Sequence, residues 1–331
     1  MRVAMFSAKN YTRMLLDQLN AGYRHELTYF DTLLGPDTVS LATGFPAISV
    51  FVNDLVDGDV LKHLAAGGTK LVATRSTGFN HIDLAAAKAL GMKVVRVSDY
   101  SPNSVAEFAV GLLLALNRKI PRAYNRTRDG NFELDGLMGF DLVGRTVAVI
   151  GTGKIGTIFA RIMAGFGCKL IGFDVNHSLE FEKIGGRYAA AEDVQAEADV
   201  ISLHCPLTPQ THHIVNARTL ARVKKGALLI NTSRGGLVDT EAAIEALKSG
   251  QLGGIAIDVY EQEASLFFRD LSSTVIQDDV IQRLVSFPNV IVTGHQAFFT
   301  REALGTIMDT TLASISDFAA GRPLINEIGA K

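Results

Sequence analysis

The sequence predicts an α/β protein built on two mainly parallel sheets, and three observations carry that prediction. Apolar runs rich in Val and Ile alternate with helix-period segments from one end of the chain to the other, which is the pattern of strand–helix–strand units. The runs form two successive series, and the second opens on a Gly-rich turn at mid-chain. The length of 331 residues suits about two domains, and a composition 47% hydrophobic and 20% charged provides for a large core.

The first series comprises Val3 to Phe6, Ala47 to Val52, Lys70 to Thr74 and Lys93 to Arg96, interleaved with helical candidates around Thr12 to Asn20, Gly58 to Ala66 and Asp83 to Leu90. None of its strands carries a Gly fingerprint. Next, Ser101-Pro102-Asn103-Ser104 reads as a helix start, with the apolar helix Val105 to Asn117 behind it and Pro121 breaking or kinking the pattern. A hinge is expected near residues 98 to 102. The second series starts at Val147 and continues through Leu170 to Phe173, Val200 to Leu203, Ala227 to Ile230, Gly254 to Ile257 and Val290 to Val292. A last helical stretch, Thr300 to Ala319, needs a surface to pack on, and periodicity alone does not choose between the two series. No internal repeat, low-complexity tract or long linker interrupts the pattern.

Charge excludes some partners. The formal net charge is −2, with 32 Lys and Arg against 34 Asp and Glu in no long single-sign block, so there is no basic field for nucleic acid or an anionic membrane. The opening Met1 to Ser7 is strand-like and lacks the apolar core and cleavage site of a secretory signal, and the longest apolar stretch, Phe108 to Leu116, is too short to span a bilayer. Cys168 and Cys205 sit beside or at the end of expected buried strands, which suits thiols in a reducing cytoplasm better than a disulfide. His204 does not activate Cys205, because neighbours on a strand point to opposite faces.

In Gly151-Thr152-Gly153-Lys154-Ile155-Gly156, the first glycine permits a tight turn, the second lets the backbone approach a pyrophosphate, and the third lets helix pack closely on strand. The next strand ends in Asp174, which comes after Gly156 at close to the spacing of about 20 residues expected for a carboxylate on the adenosine ribose. Together they mark a dinucleotide site. No Arg or Lys stands beside Asp174 in the sequence to receive a ribose 2′-phosphate, so NAD is expected rather than NADP.

Ligands of a parallel sheet bind outside the carboxyl ends of its strands, so the residues just past each strand of the second series line the site. These residues are the Gly loop, Asp174, His204-Cys205-Pro206, Asn231-Thr232-Ser233-Arg234, Asp258 with Glu263, and Thr293-Gly294-His295. Arg234 offers a planar fork for a carboxylate and can polarise a neighbouring carbonyl. His295 can exchange a proton with a carbonyl or alcohol oxygen, and an adjacent Glu263 favours the charged ring. Such a group suits a 2-keto acid receiving hydride. Singly, each residue has a bland reading as a surface ion pair, a loop charge or a capping histidine, and the strand-end context reverses that ordering. His212-His213 are adjacent, with no Cys or carboxylate cluster in the nearby sequence, and are read as a surface pair rather than a metal site. His25, His63, His81 and His177 show no ligand pattern either, so no metal is expected.

These residues resemble the D-isomer-specific 2-hydroxyacid dehydrogenase family, and within it the bacterial fermentative D-lactate dehydrogenases. The likeness runs over nearly the whole chain: Phe51-Val52-Asn53, Gly78-Phe79-Asn80, the helix from Ala106, residues 125–129, the Gly loop, residues 199–208, Asn231 to Gly235, Asp258 to Glu261, residues 275–279 and Thr293 to Phe298. The resemblance implies a flavodoxin-like substrate domain of residues 1–100 and 299–331 and a Rossmann NAD-binding domain of residues 101–298, both doubly wound. It implies His295 as acid/base, Glu263 as its partner and Arg234 as the substrate-orienting cation. Thr77 and Gly78 would hold the substrate carboxylate through backbone amides, Tyr100 would reach the substrate, and Phe298 or Phe299 would wall the methyl side of pyruvate. For NAD it implies Gly151, Gly153, Lys154, Ile155 and Gly156 at the pyrophosphate, Asp174 at the ribose, His204 and Pro206 at the adenosine, Asp258 on the nicotinamide carboxamide, and Cys205, Thr232 and Ser233 as further cofactor contacts. Gly294 stands where many relatives have Pro. The implied reaction interconverts pyruvate and D-lactate, and the D configuration rests on the resemblance alone. A larger 2-keto acid substrate, or a non-catalytic NAD(H)-sensing scaffold, are the alternatives. The helix from Ser101 to Leu116 is more apolar than one covered face requires, and with the resemblance this marks residues 101–128 for self-association.

Overall fold

The structure, a computed structural model, describes residues 1–329. The chain divides into two compact units, Met1–Ser101 joined by the segment from Phe299 onward, and Pro102–Phe298. Both are α/β.

The first unit runs β1 (Arg2–Met5), α1 (Asn10–Tyr23), β2 (Glu26–Tyr29), β3 (Ala47–Val50), α2 (Gly58–Ala66), β4 (Leu71–Thr74), α3 (Leu84–Ala89) and β5 (Lys93–Val95). Its five strands are parallel in the order β2-β1-β3-β4-β5, the flavodoxin-like winding. Strands β3 and β4 are buried along their whole length, as a central parallel strand covered on both faces must be. The second unit runs α4 (Pro102–Asn117), α5 (Ile120–Arg128), β6 (Thr146–Ile150), α6 (Lys154–Gly165), β7 (Lys169–Phe173), α7 (Leu179–Lys183), β8 (Arg187–Tyr188), α8 (Ala191–Glu197), β9 (Val200–Leu203), α9 (Ala217–Leu220), β10 (Ala227–Asn231), α10 (Thr240–Lys248), β11 (Leu252–Ile257), α11 (Asp279–Val285) and β12 (Val290–Val292). Its seven parallel strands lie in the order β12-β11-β10-β9-β6-β7-β8, which is Rossmann topology extended by one strand.

Alternation along β6 divides the second core. Val147 and Val149 face the layer holding α4 and α6, whereas Ala148 and Ile150 face the opposite layer. Helix α12 (Arg301–Ala319) settles a question that periodicity left open by returning to the first unit. There Tyr23 donates to Asp309 Oδ1 at 2.7 Å, His25 Nε2 lies 2.8 Å from Ser316 Oγ, and the Ile328 N–H donates to the Val94 carbonyl at 2.9 Å.

Two strands escape the sequence reading, β2 and β8, both at sheet edges. Edge strands are half exposed and carry no continuous apolar run. The expected Pro121 break is real, but the chain turns earlier, at Lys119 with φ 55°, and Pro121 opens α5, where its missing N–H costs nothing. The apolar character of α4 has an internal cause. Ala106, Ala109, Val110, Leu112, Leu113 and Leu116 are buried in the core of their own unit. No helix among the described residues is long and apolar enough to cross a membrane.

Candidate active site

Because β12, β11 and β10 are neighbours in the sheet, the three loops at their carboxyl ends present His295, Glu263 and Arg234 in one row. The row is held from beneath by Asp258, which is fully buried. Its Oδ1 accepts from Thr293 Oγ1 at 2.5 Å and from the Gln296 N–H at 2.9 Å, while Oδ2 accepts from the Ala297 N–H at 2.7 Å. Its carbonyl accepts the His295 N–H at 2.8 Å. These bonds fix the turn in which His295 adopts φ 55°, a left-handed conformation that a non-Gly residue keeps only when its surroundings over-determine it. Burial raises the Asp258 carboxyl above its ordinary range, and the three donors oppose that rise. The resemblance implies a cofactor contact for Asp258. The structure adds a second task, since both carboxylate oxygens hold the histidine turn.

His295 Nδ1 lies 2.9 Å from Glu263 Oε1, both side chains being mostly buried. Glu263 Oε2 accepts the Tyr260 N–H at 3.0 Å, so the carboxylate is oriented by its own loop. Nε2 is the nitrogen left to meet a reactant. The Phe268 ring stands 5.8 Å from the His295 ring, a neighbour that sequence reasoning missed because Phe268 lies well beyond the end of its nearest strand. Arg234 is partly buried, and its loop is shaped by Asn231, whose Nδ2 donates to the Arg234 carbonyl at 2.9 Å and whose Oδ1 accepts the Ser233 N–H at 3.0 Å. Gly235 is required here, since a Cβ on it would lie 2.1 Å from the Tyr260 carbonyl carbon. Gly294 has an ordinary φ and room for a side chain, so no backbone demand explains it.

The Gly loop divides its labour as the sequence predicts. Gly151 has φ 96°, and a Cβ there would meet the Cys205 nitrogen at 2.5 Å; a Cβ on Gly156 would meet the Gly151 oxygen at 1.9 Å. Above Gly153 there is open space, and no side chain caps the start of α6, which leaves its amides facing outward as an anion site. A groove of about 580 Å³ there is lined by Thr152, Gly153, Lys154, Asp174, His177 and Arg161, among others. Asp174 is held by the Thr152 N–H at 2.7 Å and the Asn176 N–H at 3.0 Å. Arg161 lines the same groove as Asp174, a cation that the sequence around Asp174 does not show. It comes from α6 rather than from the Asp174 loop, and Glu180 on the same groove offsets its charge. Thr232 Oγ1 is buried and is left without a hydrogen-bond partner, while Ser233 Oγ donates to the Cys205 carbonyl at 2.7 Å. An orphaned hydroxyl, an uncapped helix start and a fixed carboxylate fit a dinucleotide. Two substitutions separate fold from binding: Gly156→Ala should collapse thermal stability, whereas Gly153→Ala should melt like the parent yet bind NADH about tenfold more weakly. Unchanged NADH fluorescence titration in Gly153→Ala would exclude the assigned cradle.

His204 donates its N–H to the Ile150 carbonyl at 2.7 Å and stacks near Phe159, and its Nε2 pairs with Ser202 Oγ at 2.9 Å. Burial pushes its imidazole down to about 3, pushes His81 down to about 4, and pushes the Cys205 thiol up to about 11. Cys205 is therefore an inert thiol. Both rings titrate at ~6.5 in the unfolded chain, which thus binds more protons than the folded one as pH falls below that value. Acid therefore removes stability, by at most about 1.4 kcal/mol per pH unit for each ring. His204→Gln and His81→Gln should each lose less stability than the parent between about pH 6.5 and 4.5. The buried Asp54 and Asp258, raised by burial, are common to all three proteins and cancel in the comparison. Parallel losses in urea midpoint would show that the rings are not buried neutral.

The first unit carries Thr77, Gly78, Tyr100 and Phe299, and the second carries Phe298. The Thr77–Gly78 loop is pinned by Ser76 Oγ donating to the Gly78 carbonyl at 2.6 Å and Arg96 Nη1 donating to the Thr77 carbonyl at 3.1 Å. At its root Arg75 is fully buried, donating to Ser49 Oγ at 3.0 Å and to the Phe6 carbonyl at 2.7 Å. Phe298 is buried, and Phe299 packs edge-on against Tyr11 with ring centres 4.8 Å apart.

Residues 110–297 match the family described as D-isomer specific 2-hydroxyacid dehydrogenase, NAD binding domain. The chain belongs to this family. A "2-hydroxyacid dehydrogenase homolog 1" of Schizosaccharomyces pombe is 52% identical, with 97% of each chain covered. The D-lactate dehydrogenase of Escherichia coli is 48% identical, over 99% of this chain and 100% of its own. Among solved structures, the pyruvate reductase of Chlamydomonas reinhardtii superimposes with a TM-score of 0.95 at 41% identity, 98% of each chain being covered. As a family member, the chain has an NAD-binding domain, and its Gly loop and Asp174 lie inside the matched residues.

Proposed function

We propose that this chain is an NAD-dependent D-lactate dehydrogenase, catalysing pyruvate + NADH + H⁺ to D-lactate + NAD⁺ and the reverse. The observation that carries the reading is the His295 Nδ1 to Glu263 Oε1 pairing at 2.9 Å, made between the loops after β12 and β11, with β11 next to the strand that Arg234 follows. Relatives named D-lactate dehydrogenase and pyruvate reductase support the choice of substrate. The second unit is the NAD-binding domain, and the first, completed by α12, is the substrate domain that contributes the Thr77–Gly78 loop and Tyr100. NADH supplies the hydride. Arg234 takes the substrate carboxylate in a two-pronged charge-assisted contact and draws electron density from the ketone. His295, oriented by Glu263, gives its Nε2 proton to the oxygen. The experiment is NADH oxidation with pyruvate followed by chiral analysis of the lactate. L-lactate, absence of turnover, or a strong preference for phenylpyruvate or 2-ketoisocaproate would each refute it.

Self-association through residues 101–128 is part of this proposal, with its surface extended along the chain. A run of open apolar side chains follows α4: Ile120 and Tyr124 on α5, then Phe132, Leu134 and Met138 at 75%, 81% and 90% exposure, and Val143. Such a patch favours a second copy. Sedimentation at micromolar concentration should show a dimer or larger, and Leu134→Glu with Met138→Glu should shift it to the monomer; a monomeric parent would refute this. The two free thiols suit a cytoplasmic setting.

A further inference from the structure

Beside the loops that carry Arg234 and Glu263, the structure brings a carboxylate distant in the sequence to two adjacent histidines. His212, His213 and Glu261 place one ligand atom each within 4.8 Å of the others. Consecutive residues ordinarily diverge, and here the backbone prevents it. His213 takes φ 50°, in the left-handed region that non-Gly residues seldom enter. The conformation is fixed from both sides, its N–H donating to the Gly236 carbonyl at 2.9 Å and its own carbonyl accepting from Asn216 Nδ2 at 2.7 Å. The two imidazoles consequently stack, with centres 3.9 Å apart and 24° between planes. The carboxylate arrives from the loop after β11. Glu261 Oε2 accepts from the Thr240 N–H at 3.1 Å and from Thr240 Oγ1 at 2.6 Å, which turns Oε1 to within 2.6 Å of His213 Nε2. This corrects the reading of His212-His213 as a surface pair without a carboxylate.

We propose that His212, His213 and Glu261 form a surface binding site for a divalent cation of the zinc class. Two imidazoles and one carboxylate are the donor set of Zn²⁺, Co²⁺, Ni²⁺ or Cu²⁺ rather than of Mg²⁺ or Ca²⁺. Thr240 supplies the outer hydrogen bonds that orient a ligating carboxylate. Ligand bonds of about 2.0–2.2 Å require the stacked rings to rotate so that their nitrogens converge, whereupon the His213–Glu261 hydrogen bond gives way to two metal bonds and water fills the remaining position. The ion would tie the loop after β9 to the loop after β11. It would bind without entering the His295–Glu263 pair.

The test uses the untagged full chain stripped with a chelator, titrated with Zn²⁺ by calorimetry and native mass spectrometry, and with Co²⁺ by visible absorption. One Zn²⁺ per chain and a low-symmetry Co²⁺ spectrum are expected. In His212→Ala, an exposed position outside the dehydrogenase site, that equivalent should be lost or weakened at least tenfold, and Thr240→Val should weaken it by about 10–100-fold while leaving all three ligands in place. Absence of a Zn²⁺ equivalent in the parent, or equal binding by parent and His212→Ala, overturns the proposal. The second outcome would place the ion elsewhere, for example on His295 and Glu263.

Discussion

Glutamine in place of His295 is expected to lower kcat/KM for pyruvate reduction by about 10²–10⁴-fold, the usual contribution of a positioned general acid, with NADH affinity unchanged. The reason lies in the geometry. Glu263 occupies Nδ1, so a single nitrogen faces outward, and Gln at this position has no proton that it can give up at neutral pH. Steady-state kinetics and NADH fluorescence titration separate the two effects, and activity within threefold of the parent would remove His295 from the reaction. Glu263→Gln complements this test. Loss of the charged acceptor at Nδ1 leaves the ring less firmly oriented, so kcat/KM for pyruvate should fall while NADH affinity is unchanged. An unmoved kcat/KM would mean that Glu263 only packs against the ring.

Asp258→Ala should cost both stability and activity. It leaves the Thr293 hydroxyl and the Gln296 and Ala297 amides facing a buried void. Unpaired buried donors cost about 1–3 kcal/mol each, and removal of one side of a buried charged network typically costs about 3–5 kcal/mol in all. The left-handed His295 conformation then loses the restraint that maintains it, and kcat should fall even in molecules that remain folded. Urea unfolding and kcat measured on the same preparation decide the matter; a parental midpoint together with parental kcat would sink the idea. Thr293→Val, which removes one of the three donors along with its bond, should show the smaller effect.

Much of the fold and of the site was legible in the chain. The buried parallel strands announce themselves as Val- and Ile-rich runs, because a strand covered on both faces has no polar side to show. The Gly loop is legible because Gly151 and Gly156 answer steric demands that other residues cannot meet. The strand-end residues Arg234, Glu263 and His295 are legible from topology, which sends every carboxyl end of a parallel sheet to one edge. Edge strands β2 and β8 were illegible, since half-exposed strands carry no distinctive pattern.

What the sequence by itself determined is the set of groups on that edge and the dinucleotide they receive, since local spacing and strand polarity require nothing more. What only the tertiary structure decided is how those groups are held and what else lies near them. Asp258 as the clamp beneath His295, Glu261 beside two histidines and the return of α12 to the first unit all join residues distant in the chain. Each depends on side chains from separate elements meeting at hydrogen-bonding or packing distance, and no periodicity along the chain encodes such a meeting.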